Sequence, residues 1–192
     1  MMQTTPDLSI SRRRLVTASL LLPCAACAQT TTTQPSLDVH FVPTPQPVVD
    51  RMLELARVKK GEMLYDLGCG DGRIVVTAAS RYGARGVGID LDPKRIEEAR
   101  ANAQRERVRN VEFRVGNLFE ADLSSADVVT LYLLASINQR LRPQLWRQLR
   151  VGSRVVSHAF DMGAEWPPEH SEVVGGSTIY MWTVTQQNKD AA

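Results

Sequence analysis

Between Leu64 and Arg73 the chain reads L-Y-D-L-G-C-G-D-G-R, and no other stretch constrains the fold as much. An apolar run ends at an acid, Asp66, and glycines then occupy alternate positions at Gly68, Gly70 and Gly72. Glycine takes backbone angles closed to other residues, and its missing Cβ lets a flat ligand or a second chain segment come close. The stretch therefore predicts a strand, a tight turn and a helix. The spacing G-x-G-x-G differs from G-x-G-x-x-G, whose turn aims a helix N-terminus at a pyrophosphate. A glycine turn alone does not make a ligand site, so a second element is needed.

The periodicity on either side predicts alternating strands and helices. Phe41-Val42-Pro43-Thr44-Pro45-Gln46-Pro47 is extended and stiff, because proline fixes its own backbone and restricts the residue before it. Val48, Met52, Leu55 and Ala56 recur at helical spacing to about Val58. Strands are expected at Glu62–Asp66, Gly86–Asp90, Val111–Val115, Asp127–Leu131 and Arg154–Ala159, with helices at Gly72–Tyr82, Pro93 to about Arg107 and Asn138–Leu149. Pro143 is expected to kink or restart the last of these. Glu172-Val173-Val174 and Thr178–Val184 form a terminal hairpin around Gly175-Gly176. This pattern predicts an α/β fold: a doubly wound, mostly parallel seven-strand sheet with helices on both faces and an antiparallel C-terminal edge strand, Rossmann-like.

Residues 1–28 read as a signal peptide rather than as part of the fold. Ser11-Arg12-Arg13-Arg14 precedes an apolar run, and Ala26-Cys27-Ala28 supplies small residues at a cleavage point. The run is too short for a permanent membrane span. The twin arginine predicts export to the periplasm in the folded state. Residues 29–45 are expected as a tether and extended cover segment, 46–185 as the folded domain and 186–192 as a disordered tail. The leader takes Arg12, Arg13, Arg14 and Asp7 with it and leaves basic and acidic residues balanced. Arg100, Arg105, Arg107 and Arg109 interleave with Glu97, Glu98, Glu106 and Glu112 as on a solvated helix face, so no nucleic-acid partner is expected. Cys24 and Cys27 belong to the leader, which leaves Cys69 with no disulfide partner. His40, His158 and His170 lack metal-ligand spacing, and no metal is expected.

Asp90 is the second site element. It ends the second strand, beside the first glycine turn in a doubly wound sheet, where ligands bind. A carboxylate there accepts from both hydroxyls of a ribose, and Leu91 offers an apolar face to a base. Capping the next helix is the competing role, for which Asp92 serves equally well.

The successive segments Y-D-L-G-C-G-D-G-R-I-V, G-V-G-I-D-L-D, G-N-L-F and V-V-T-L-Y-L-L resemble the cofactor motifs of class I, seven-strand S-adenosylmethionine-dependent methyltransferases. More narrowly, F-V-P ahead of the fold and W-P (Trp166-Pro167) after the fifth strand are similar to mitochondrial-type protein lysine methyltransferases that modify the c ring protein of ATP synthase and the adenine nucleotide translocase. The resemblance implies S-adenosyl-L-methionine as cofactor. Asp66, Gly68, Cys69, Gly70, Asp71 and Gly72 would cradle its methionine end, with Arg73 shaping the turn. Asp90 and Leu91 would take the ribose and one adenine face, and Asn117 and Leu118 would border the adenine. Leu131-Tyr132-Leu133-Leu134 stands where adenine and glutamine N-methyltransferases carry an acidic or asparagine residue followed by prolines, which argues against those acceptors.

The chemistry asks for geometry more than for reactive groups, because a sulfonium methyl is already activated. Tyr132 is the candidate for lining or orienting the acceptor, with Phe41 and Pro43 closing over the site. His158 and Asp161 are placed to assist proton removal. A protein lysine is the favoured acceptor. A small-molecule N- or O-methyltransferase and a non-catalytic exported S-adenosylmethionine-binding protein are the alternatives.

Overall fold

A computed structural model describes residues 1–2 and 42–192. Residues 3–28 of the expected leader, residues 29–41 of the tether, and with them Phe41 and its cover role, lie outside the described residues. The chain then forms α1 (Gln46–Leu55), β1 (Met63–Leu67), α2 (Arg73–Tyr82), β2 (Arg85–Asp90), α3 (Pro93–Arg105), β3 (Val111–Val115), a 3-10 turn (Leu118–Glu120), β4 (Val128–Leu131), α4 (Ala135–Gln148), β5 (Arg154–His158), β6 (His170–Val174), β7 (Ser177–Thr183) and α5 (Gln186–Asp190).

The strands form one sheet in the order β3-β2-β1-β4-β5-β7-β6. Pairing is parallel from β3 through β5, while β7 runs antiparallel to both β5 and β6. The hairpin expected around Gly175-Gly176 thus places β7 between β5 and the outermost strand β6. Strand order reverses between β1 and β4, and a crevice opens at the carboxyl ends of the strands at such a switch point.

Alternation along each strand divides the core between the two faces. Leu64, Val128, Val156 and Ile179 pack with Val49, Met52 and Leu53 of α1, Ile74 and Val75 of α2 and Ile96 of α3. Their neighbours Tyr65, Val129, Val155 and Trp182 pack with Ile137, Leu141 and Leu145 of α4 on the other face. Trp146, Trp166 and Trp182 are all of the chain's tryptophans, and they meet there with ring centroids 5.7 and 5.8 Å apart along the series. The Trp182 indole N–H donates to the Trp166 carbonyl at 2.7 Å. The W-P segment is therefore part of this core.

Two elements differ from the sequence expectation. Helix α4 begins at Ala135 rather than Asn138 and continues through Pro143. Leu134 precedes it with no side-chain cap, so no capping residue marks its start. Residues 186–190, expected within a disordered tail, form α5 behind a capping box of Thr185 and Asn188. Lys189 fixes this helix by donating to the carbonyls of Trp146 at 2.7 Å and Leu149 at 2.9 Å, at the C-terminal end of α4.

Arg154 ties the sheet together at the end remote from the switch-point crevice. Its guanidinium donates to the Ala56 carbonyl after α1 at 2.9 Å and to Glu62 Oε1 before β1 at 2.8 Å. Arg154→Met leaves these acceptors without their donor. At about 1.5–3 kcal/mol for hydrogen bonds to a charged group, the expected loss of stability is ~2–3 kcal/mol, read by urea unfolding followed through tryptophan fluorescence. A loss under about 0.5 kcal/mol, the range of ordinary surface substitutions, contradicts this role.

Candidate active site

The glycine turn is held by its neighbouring strand. Gly68 and Cys69 donate their amides to the Ile89 carbonyl at 2.8 and 3.0 Å, and Gly70 donates to Asp90 Oδ2 at 2.8 Å. Gly68, Gly70 and Gly72 have φ of +78°, +52° and +74°, a region glycine enters without the Cβ penalty. A Cβ on Gly68 would come within 2.8 Å of Leu133 in the cavity wall. A Cβ on Gly72 would meet Phe113 and Ala99 instead, so Gly72 lets α3 and β3 pack against the turn.

Asp90 is not the cap of α3. That role belongs to Asp92, whose side chain accepts from the Lys94 amide at 2.9 Å. The Asp90 carboxylate accepts from Gly70 and, at 3.0 Å, from the Asp92 amide. A carboxylate has about four acceptor positions, so capacity remains for a ligand.

Asp66 is buried at the end of β1 and accepts from Thr130 Oγ1 on the paired residue of β4 at 2.8 Å. Burial pushes its carboxyl up to about 7; the Thr130 hydrogen bond opposes this, and the nearby Asp90 and Asp71 charges add to it. Cys69 is buried too, and desolvation followed by the Asp66 charge holds its thiol well above the ordinary range. It packs under the turn as a protonated thiol, not as a nucleophile.

These residues border a cavity of about 670 Å³, within the size range of small-ligand sites. Of the sequence candidates, Pro43, Asp66, Gly68, Cys69, Asp71, Asp90, Leu91, Asn117, Leu118 and Tyr132 line it. Gly70 and Gly72 lie in the same turn: the Gly70 amide donates to the wall residue Asp90, and the missing Cβ of Gly72 leaves room for Phe113. Asn117 was expected to border an adenine, and it does border the cavity. Its Oδ1 accepts from the Phe119 amide at 3.1 Å and its Nδ2 donates to Glu120 at 2.9 Å, so its side chain caps the 3-10 turn. Asp161 turns away into the following loop, accepting from the Gly163 amide at 3.0 Å.

Several links within the site carried no sequence signal. Arg73 grips Asp71 through Nε at 2.9 Å and Nη2 at 2.6 Å, and its Nη1 donates to the Thr44 carbonyl at 2.9 Å. This draws the proline-stiffened segment ahead of α1 across the cavity, and Val42, Pro43 and Thr44 all line it. Phe119 lies under the Arg140 guanidinium at 4.2 Å, and both reach the cavity. Tyr132 stacks on His158 with centroids 3.9 Å apart, and burial lowers the His158 pKa and keeps the imidazole neutral at pH 7. Pairing across β4–β5 brings Tyr132 beside His158, and the other links close only once helices and loops pack over the sheet.

The lining fits S-adenosylmethionine. Asp66 and Asp71 at the glycine turn suit a cationic amino-acid head, Asp90 suits vicinal hydroxyls, and Leu91, Leu118 and Leu133 suit a flat base. The missing Cβ of Gly68 lets Leu133 pack against the turn in the cavity wall.

Comparison with known proteins agrees with this geometry. The family profile of the ANTKMT methyltransferase domain matches residues 66–170. A Saccharolobus islandicus protein named protein-lysine N-methyltransferase is 44% identical over 151 residues, covering 76% of this chain and 94% of that protein. The adenine nucleotide translocase lysine N-methyltransferase of Mus musculus is 36% identical over 148 residues, and the match spans 62% of its length and 76% of this chain. A crystal structure of a Salinibacter ruber protein described as an RNA methyltransferase, in complex with S-adenosyl-L-homocysteine, is 59% identical with a TM-score of 0.74. It covers 76% of this chain and 95% of its own. The chain belongs to the ANTKMT methyltransferase family and is an S-adenosylmethionine-dependent methyltransferase.

Proposed function

We propose that this enzyme methylates the side-chain amine of lysine in a protein. The observation that carries this reading is the similarity to the Saccharolobus islandicus protein named protein-lysine N-methyltransferase, a match that covers 94% of that protein. Asp66, Asp71, Asp90 and Asp92 line the cavity beside Arg73, Arg95 and Arg140, with Arg73 paired to Asp71 and Arg95 to Asp92. The formal net charge of +2 and the pairing of Arg114 with Glu112 agree, since neither provides a basic track for RNA. The Saccharolobus relative's name supports the same acceptor, and the Salinibacter protein's description makes RNA the contrasting outcome of the test.

Bound S-adenosylmethionine supplies a methyl group already activated on sulfur. The protein supplies position, dryness and a neutral amine. Asp66, Asp71 and Asp90 would hold the cofactor, and Pro43 and Thr44 would exclude water from one side. Tyr132 would face the acceptor. A lysine with pKa near 10.4 must lose a proton, at a cost of roughly 4–5 kcal/mol at neutral pH. A desolvated channel lowers that cost by disfavouring the ammonium form.

The leader assigns the enzyme to the periplasm, reached through the twin arginine at Arg12-Arg13. Export of the folded enzyme with its cofactor aboard limits it to a single turnover unless the compartment is resupplied. Arg12→Lys with Arg13→Lys is expected to shift the protein from periplasmic to cytoplasmic fractions; unchanged fractionation contradicts this location.

Transfer of labelled methyl to a cell-envelope extract is expected to appear on protein bands, with the mass increment mapped to lysine. Label in RNA or in small molecules overturns the lysine reading. Asp90→Ala is expected to weaken S-adenosylhomocysteine binding about 10–100-fold by calorimetry, the worth of hydrogen bonds to a charged group. A wild-type affinity contradicts its role.

The Asp66 carboxyl gives a pH dependence. Its proton must leave before it can pair with a cationic ligand group, so affinity should rise with pH up to about 7 and level off above it. Below that point the slope approaches tenfold per pH unit, and Asp66→Asn flattens it. Equal calorimetric affinities at pH 5.5 and 7.5 contradict the assignment.

A further inference from the structure

His158 has contacts that packing does not account for. It ends β5 at 1% exposure, its Nδ1 is hydrogen-bonded to Thr44 Oγ1 at 3.3 Å, and its ring stacks on Tyr132. Its Nε2 is buried with no hydrogen-bond partner. Thr44 is buried as well. A phenylalanine facing a valine would fill such a place without a lone buried nitrogen or hydroxyl, and replacing both partners of a buried hydrogen bond costs little.

The backbone is constrained at the same point. Ala159 has φ of +68°, and the Phe160 amide donates to the His158 carbonyl at 2.9 Å, which closes a three-residue turn of the rare, strained hand. Strain of this kind survives where surrounding structure over-determines it, and it concentrates at functional sites. The turn places His158 behind the cavity and Phe160 in its wall.

Thr44 joins the two halves of the site. Its carbonyl accepts from Arg73, which holds Asp71 of the glycine turn, and its hydroxyl meets His158, which carries Tyr132. A continuous set of contacts thus runs from the cofactor end of the cavity to the ring assigned to the acceptor.

We propose that His158 is a positioning residue that, latched by Thr44, fixes the Tyr132 ring at the acceptor end of the cavity. This rests on the reading of Tyr132 as the acceptor-facing residue. Thr44→Val removes the latch without touching Tyr132, and Thr44→Ser keeps it. The measurements are NMR of ring-labelled tyrosine, with the Tyr132 signal identified through Tyr132→Phe, calorimetry with S-adenosylhomocysteine, and kinetics on a lysine-bearing acceptor.

In Thr44→Val the Tyr132 signal is expected to shift and broaden, with S-adenosylhomocysteine affinity within about twofold of wild type. The kcat should fall about 10–100-fold, as for a misplaced reacting geometry, with KM for the acceptor little changed. Thr44→Ser, which keeps the hydroxyl, should restore the Tyr132 signal and most of the kcat lost in Thr44→Val. The double variant Thr44→Val/His158→Phe should keep the wild-type unfolding midpoint and still show the low kcat. An unchanged Tyr132 signal in Thr44→Val, a serine variant no better than the valine one, or a double variant with wild-type kcat overturns the proposal. If the wild type labels no lysine, the acceptor reading fails on its own, and the Tyr132 signal, which needs no acceptor, still decides the role of His158.

Discussion

The site depends on the hydrogen bond from the Gly70 amide to Asp90. It joins the turn after β1 to the end of β2 and does so with a carboxylate that also borders the cavity. The same side chain thereby organises the protein and offers itself to the ligand. The Ile89 carbonyl takes the amides of Gly68 and Cys69 in the same way, so the turn is fastened along its length to a single neighbouring strand. The left-handed angles at the three glycines follow from that fastening. Asp92 caps α3, and that division of labour leaves Asp90 capacity for a ligand.

The opposite acid, Asp66, shows how expensive such a site is to build. A carboxyl buried against Thr130 with two other acids nearby is held close to neutrality, where a modest change in its surroundings decides its charge. A hydrophobic residue at this place in β1 would make a more stable sheet. The acid, like the strained Ala159 and the unpartnered His158 nitrogen, stands at the carboxyl edge of the sheet beside the cavity.

Much of this was legible along the chain because it was written locally. The alternation of strands and helices and the acid–glycine turn are patterns with a period or a spacing, and Asp90 falls at a strand end. What was missed arises only after strands pair. Gly70 and Gly72 look equivalent to Gly68 in sequence, yet each makes a different contact: Gly68 leaves room for Leu133, Gly70 donates to Asp90 and Gly72 leaves room for Phe113. Thr44 lies 114 positions from His158, a separation no short motif spans. The start of α4 went unseen for a related reason: Leu134 gives no capping signal, and packing of Ile137, Leu141 and Leu145 on the sheet sets the helix.

The hairpin of β6 and β7 contributes no residue to the cavity, yet it supports one of its walls. Helix α1 lies against β5, β6 and β7, and Arg51 holds Glu172 of β6 through Nε at 2.5 Å and Nη2 at 3.0 Å. Val42, Pro43 and Thr44 are the short arm that continues from this helix over the cavity. The two outer strands therefore brace α1, and through it the arm that Arg73 and His158 pin over the cavity at Thr44. A sheet ended at β5 would keep the glycine turn and its acids, but α1 would lose the Arg51–Glu172 pair and part of the surface that sets the angle of the arm.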